Sequence, residues 1–205
     1  MQKIREYPDT GEFQAPSILI DFLSSRSFTV WEGQLVAGQI MSMLETLANN
    51  PSITRCLEIG FNGGLSAATI LSARPNISLV SVDIGLHEYV LKAKNTIDSK
   101  FPGRHTLVIG DSLQAVPQLA KLISGSFDFI FIDGGHEEPV PRKDIENCLA
   151  LCTDKTLICI DDWCEAYGGD GVNQAIEDFM KNGTLLCVEQ CKSANRGWGF
   201  FQVKI

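Results

Sequence analysis

The chain has 205 residues, 44% of them hydrophobic and 20% charged, with a formal net charge of -8. That length suits one domain and leaves little room for two, and an acidic chain without a Lys/Arg run argues against a nucleic-acid partner. No apolar run approaches a membrane span, and the opening MQKIREYPDT lacks the apolar stretch of a secretory signal. The expectation is a cytoplasmic protein acting on a small molecule, with neither nucleic acid nor membrane as partner. Its seven scattered cysteines then read as reduced thiols.

Residues 1–30 are polar and mixed, with Pro8, Gly11 and Pro16, and read as a loosely attached arm or lid. The domain proper is expected over 31–205. From Trp31 onward, Leu35, Ile40, Met43, Leu44 and Leu47 keep helical spacing until Asn49-Asn50-Pro51. A βα rhythm follows. Strands are predicted at Arg55–Ile59 (RCLEI), Leu79–Ile84, His105–Ile109, Phe127–Ile132 (FDFIFI) and Thr156–Ile160. Helices are predicted at Ser66–Ala73, Glu88–Ser99, Ser112–Leu122, Lys143–Leu151 and Gly171–Asn182. Leu185–Gln190 and Gly199–Val203 close the chain as an antiparallel pair. Strands that are near-continuous apolar runs, alternating with helices, imply a mostly parallel sheet covered on both faces. Ligands of such sheets bind beyond the carboxyl ends of the strands.

The strand ends therefore carry the chemistry. The first runs into Gly60-Phe61-Asn62-Gly63-Gly64, a turn that lets a ligand approach the backbone, or else a plain βα connection. Asp83 ends the second strand, where a carboxylate can accept from both hydroxyls of a ribose. Asp111 and Ser112 follow the third strand and suit either an adenine edge or the cap of the next helix. Asp133 ends the fourth strand, and Asp161-Asp162 end the fifth. Three carboxylates arriving together need protons, a basic partner or a hard cation such as magnesium. His136, three residues after Asp133, has a reference pKa near 6.5 that suits proton abstraction near neutrality.

In this order and spacing the motifs resemble the class I S-adenosylmethionine-dependent methyltransferases. More narrowly, the chain is similar to the small O-methyltransferases typified by catechol O-methyltransferase and to the family-24 methyltransferase domain, over roughly Trp31 to Phe179. Glu32-Gly33-Gln34 is similar to the segment that precedes the family's first helix. Leu57–Ser66 (LEIGFNGGLS) matches the family's first motif, in which Glu58 and the Gly60 turn hold the methionine part of the cofactor. Asn62, Gly63 and Ser66 fall in that motif and are carried with it as cofactor contacts. Asp83 takes the place of the ribose binder, and Val108–Leu119 the place of the adenine segment with Asp111 and Ser112. Phe127–His136 and Leu157–Trp163 match the two strands that supply metal-binding carboxylates, here Asp133, Asp161 and Asp162. Two positions depart from the catechol enzyme. Its Asp-Asn pair is Asp161-Asp162, and its catalytic lysine is His136.

The resemblance implies a Rossmann-like fold with a mostly parallel seven-stranded sheet and helices on both faces. It implies S-adenosylmethionine as cofactor, Mg2+ or another divalent cation as an optional one, and a hydroxyl of a small molecule as acceptor. Asp133 and His136 are the expected catalytic pair, with His136 taking the proton. Two other readings stand beside it. A non-catalytic cofactor-binding or partner-subunit protein would share the fold. An NAD-dependent oxidoreductase would share the glycine turn and Asp83, but Asn62 stands at its second glycine position and a Tyr-x-x-x-Lys pair is absent. Fold analogy also suggests a homodimer contact through Trp31 and the arm.

Overall fold

Parallel strands cannot be joined by tight turns and need crossover connections, which here are mostly helices. The computed structural model describes residues 4–8, 14–30, 33–163 and 169–204. The elements run β1 (Ile4–Glu6), α1 (Ser17–Ser25), α2 (Ala37–Asn49), β2 (Arg55–Ile59), α3 (Leu65–Ala73), β3 (Ser78–Asp83), α4 (Tyr89–Lys100) and β4 (His105–Ile109). They continue with α5 (Ser112–Leu122), β5 (Phe129–Ile132), α6 (Val140–Leu149), β6 (Leu157–Ile160), α7 (Gly169–Lys181), β7 (Leu185–Ser193) and β8 (Arg196–Val203).

The sheet has eight strands in the order β1-β7-β8-β6-β5-β2-β3-β4. All neighbours are parallel except β8, which runs antiparallel to both β6 and β7. The chain winds outward from β2 through β3 to β4, then returns to the other side of β2 for β5 and β6. The order reverses between β2 and β5, so the binding crevice of an open α/β sheet is expected at their carboxyl ends.

Side chains alternate across the sheet. Cys56, Phe129, Phe131 and Cys159 face the layer containing α1–α4. Leu57, Ile59, Ile130, Ile132, Ile158 and Ile160 face the layer containing α5–α7. Period-2 alternation with both faces apolar is what makes each strand read as a continuous hydrophobic run. Glu58 is the exception on the first face and is fully buried.

Three sequence expectations need correction. The sheet has eight strands rather than seven, because Ile4–Glu6 pairs in parallel with β7, Ile4 opposite Gln190. The chain before residue 31 is also less detached than expected. Leu19 and Phe22 of α1 are fully buried, and Tyr7 packs 5.7 Å from the Trp198 ring. Finally, α6 begins at Val140 rather than Lys143, since Pro139 precedes it and Pro141 sits in its first turn, where a missing N–H costs nothing. Trp31 and Glu32, on which a dimer contact and part of a motif were expected, lie outside the described residues, as does the 164–168 segment. No described helix is long and apolar enough to cross a membrane.

The burial of α1 is testable. Phe22→Ala removes a fully enclosed ring, and urea denaturation should show a loss of about 3–5 kcal/mol. A loss below about 1 kcal/mol would mean that α1 is a detachable arm.

Candidate active site

The ladder between β2 and β5 stays in register up to Ile59 opposite Ile132, and it continues into the loops. Asp133 N donates to Ile59 O at 2.9 Å, Gly60 N to Val82 O at 2.8 Å, and Asp161 N to Ile132 O at 3.0 Å. Two chains leaving a sheet side by side have little space between them. A Cβ on Gly60, whose φ is +91°, would stand 1.9 Å from the Asp133 carbonyl oxygen. Only glycine serves there.

Beyond Gly60 the turn is held from the next strand. The Asp83 carboxylate accepts from Phe61 N at 2.9 Å and Asn62 N at 2.8 Å through Oδ2, and from Gly85 N at 2.7 Å through Oδ1. Asn62 adopts φ +47°, which asparagine tolerates better than most residues, and its Nδ2 donates to Gly33 O at 2.9 Å. Gly63 lies against Val30, where a Cβ would meet Cγ2 at 2.5 Å. Gly64 then starts α3 with no side-chain cap, leaving first-turn N–H groups for a ligand. Gly60, Asn62, Gly63, Ser66 and Asp133, all expected at the site, line one cleft of about 290 Å³. Arg26 lines it too, and nothing in the sequence pointed to it.

Glu58 lies beneath this cleft and accepts a hydrogen bond from Ser81 Oγ. Burial lifts its carboxyl to about 7, against the pull of hydrogen bonds from Ser66 and Ser81. On the other side of Ser81, His105 Nε2 lies 2.9 Å from the hydroxyl. Burial, aided by Lys94, lowers His105 to about 4 and keeps its imidazole neutral. At the next strand end Asp111 accepts from Leu113 N at 2.9 Å and caps α5. Asp111 and Ser112 are held beside Asp83 by the bond from Gly110 N to Asp83 O at 2.8 Å, at the rim rather than in the lining of the cleft.

The three strand-end aspartates have different fates. Asp161 is buried and accepts from the Gln39 side chain of α2 and from Asp162 N. Burial, reinforced by Asp133 and Asp162, raises its carboxyl well above the ordinary range, and the Gln39 bond ties it to α2. Asp162, at φ +55°, points elsewhere. Its Oδ2 meets His136 Nε2 at 2.9 Å and its Oδ1 accepts from Arg196 Nη1 at 3.1 Å. Burial pushes its carboxyl up, but His136 and Arg196 together hold it below the carboxylate norm. Asp133 is raised to about 7 by burial, then by Asp162 and Glu58. The donor atoms that converge are those of Asp133, His136 and Asp162, all within 4.8 Å of one another. Two carboxylates and an imidazole fit one divalent cation in number and spacing, with a preference for borderline metals over magnesium. The expected trio had Asp161 in the place His136 takes.

Arg196 arrives from β8, Gln39 from α2, and Asp144 of α6 is fully buried against Gly134, its carboxyl lifted to about 6 by burial. None of these was legible as part of the site.

The His136–Asp162 contact makes a prediction. The bond and charge of Asp162 raise the imidazole above 6.5, against the opposing effect of burial. Its contribution to stability is whole below pH 6.5 and is lost as pH rises through the folded value. The Asp162 contribution is present above pH 3.8 and is lost as pH falls through its lowered value. Imidazole NMR titration should place His136 above 6.5 in the wild type and return it to 6.5 or below in Asp162→Asn. A wild-type value at or below 6.5 would contradict the contact.

The comparisons with known proteins agree with this geometry. A family model described as a methyltransferase domain, the family-24 type, matches residues 57–163, just over half of the chain. No curated protein matches. Among solved structures, the chain is similar to an O-methyltransferase from Bacillus cereus in complex with S-adenosylhomocysteine, with 20% identity, 93% and 92% of the two chains covered, and a TM-score of 0.76. It is also similar to a Podospora anserina methyltransferase bound to S-adenosylhomocysteine, at 16% identity, 93% and 89% coverage and a TM-score of 0.73. A third is the O-methyltransferase TomG of Streptomyces achromogenes, involved in tomaymycin synthesis, in complex with S-adenosylmethionine, at 18% identity, 92% and 96% coverage and a TM-score of 0.69. The fold is the Rossmann-like one of class I methyltransferases, and the chain belongs to the family-24 methyltransferase domain family.

Proposed function

We propose that the protein transfers the methyl group of S-adenosylmethionine to a hydroxyl oxygen of a small molecule. The observation that carries this is a glycine-turn cleft, its turn anchored by Asp83, that has Asp133 in its lining, the same Asp133 whose carboxylate converges with His136 and Asp162 at the adjacent strand ends. The Bacillus cereus and Streptomyces achromogenes proteins are O-methyltransferases by name, which supports oxygen as the acceptor atom.

The chemistry asks little of the protein. A sulfonium leaves without acid assistance, so the site has to align acceptor and methyl and take one proton. Alignment alone can supply roughly 7–11 kcal/mol at best. The methionine end lies along Gly60–Ser66 and the ribose next to Asp83. The acceptor hydroxyl then faces Asp133 and His136. His136 takes the proton through Nδ1, its Nε2 staying on Asp162, which stabilises the imidazolium that forms, while Arg196 fixes Asp162. Because Asp162 favours the protonated imidazole, the base is free only above its raised value. Turnover should therefore rise with pH above 6.5.

If a divalent cation binds, Asp133, His136 and Asp162 would hold it, and it would lower the pKa of the acceptor hydroxyl. His136 would then be a ligand and not the base. Asp162 is already neutralised by Arg196 and His136, so this arrangement does not need the cation.

Isothermal titration with S-adenosylhomocysteine tests the reading. The wild type should bind, Asp83→Ala should lose at least tenfold because two charge-assisted bonds to the turn are removed, and His136→Ala should stay within about twofold. Magnesium should change the wild-type affinity little. No binding by the wild type would overturn the proposal, and an unaffected Asp83→Ala would move the nucleoside elsewhere.

A further inference from the structure

Arg26 closes α1, its backbone N–H donating to Leu23 O, and it lines the same cleft as Asn62, Ser66 and Asp133. Its guanidinium is unusually placed for an acidic chain with 25 carboxylate and 17 basic side chains. Nη1 donates to the Gln34 amide oxygen at 3.3 Å, and the group lies 5.9 Å from the Phe22 ring centroid. Among the described residues no carboxylate stands within ion-pair distance of it. The other arginines at buried sites contrast with it. Arg104 is held by three backbone carbonyls, and Arg196 by Asp162. Arg26 is half-buried and, among the described residues, has only the Gln34 side chain as a hydrogen-bond partner for its guanidinium.

The cleft lining carries groups of both signs. The Arg26 cation and the uncapped N-terminus of α3 belong to it, both complementary to an anion. The Asp133 carboxylate belongs to the same lining and can accept from an ammonium. A cation and a carboxylate across one small cleft match an α-amino-acid zwitterion. Guanidinium and carboxylate pair through two parallel N–H bonds, a geometry lysine cannot reproduce.

We propose that Arg26 binds the α-carboxylate of the cofactor's methionine moiety, making the N-terminal helix α1 part of the cofactor site. This rests on the methyltransferase reading of the cleft. It also assigns a role to the chain before residue 31: the burial of Leu19 and Phe22 fixes α1, and α1 fixes the guanidinium.

The test is isothermal titration of wild type, Arg26→Ala and Arg26→Lys with two probes. S-adenosylhomocysteine carries the amino-acid end, and 5'-methylthioadenosine keeps the nucleoside and sulfur but lacks the carboxylate. Arg26→Ala should weaken S-adenosylhomocysteine about ten- to a hundredfold and leave 5'-methylthioadenosine within twofold. Arg26→Lys should fall between wild type and Arg26→Ala for the first probe. Equal losses for both probes in Arg26→Ala would assign Arg26 a purely structural role and overturn the proposal, as would no loss for either. A wild type that binds neither probe overturns the methyltransferase reading and this inference with it. A wild type that binds both with an unchanged probe ratio in Arg26→Ala overturns this inference alone.

Discussion

The parting of β2 and β5 sets the rest of the site. Both strands end at the same level, Ile59 opposite Ile132, and their chains leave the sheet side by side before turning into separate loops. The space left at that point holds the Asp133 carbonyl oxygen and the bare Cα of Gly60, with no room for a methyl group. Everything downstream takes its position from this contact. The turn after Gly60 is held to the end of β3 by two amide bonds to Asp83. Asp133 is fixed at the cleft wall by its own bond to Ile59 O. A change that separated these strands would therefore move both the nucleotide turn and the acid–base cluster.

Above this frame the structure solves an electrostatic problem by dividing it. Three aspartates at two neighbouring strand ends cannot all remain charged and unpaired at low cost. Asp161 is buried, its carboxyl held above the ordinary range, and bonds to Gln39. Asp162 keeps its charge and is neutralised from two sides by His136 and Arg196. Asp133 is left at the cleft, near the balance between its two protonation states. The left-handed backbone at Asp162 turns its carboxylate away from Asp161 and toward β8. Local strain at such positions is a common feature of functional sites. Here it separates two adjacent acids into one structural and one functional group.

The parallel core was legible because strands buried on both faces write themselves as apolar runs, as β5 (FIFI) and β6 (LICI) do, with β2, β3 and β4 following in the same βα rhythm. The strand-end residues followed from the same fact, since a parallel sheet presents its ligand face where the runs stop. β1 escaped because Ile4–Glu6 is three exposed edge residues with no alternation to detect. α1 did leave a signal: Pro16 ahead of Ile18, Leu19 and Phe22 is a helix start followed by an apolar stripe. Pro8 and Gly11 obscured it. Arg196 and Gln39 were beyond reach for another reason. They join Asp162 and Asp161 from 34 and 122 positions away, and a lone arginine or glutamine in a strand or helix carries no motif. His136 was singled out from spacing, while its pairing with Asp162 depended on a backbone conformation that spacing does not encode.

The central claim is that one ligand bridges the Gly60 turn and the Asp133 loop across the parting strands. Hydrogen–deuterium exchange with and without S-adenosylhomocysteine addresses it directly. The account predicts that the amides of residues 60–66 and 133–136 become protected together, with those of residues 26–35 following. Protection of only one of the first two segments, or of neither, would contradict it.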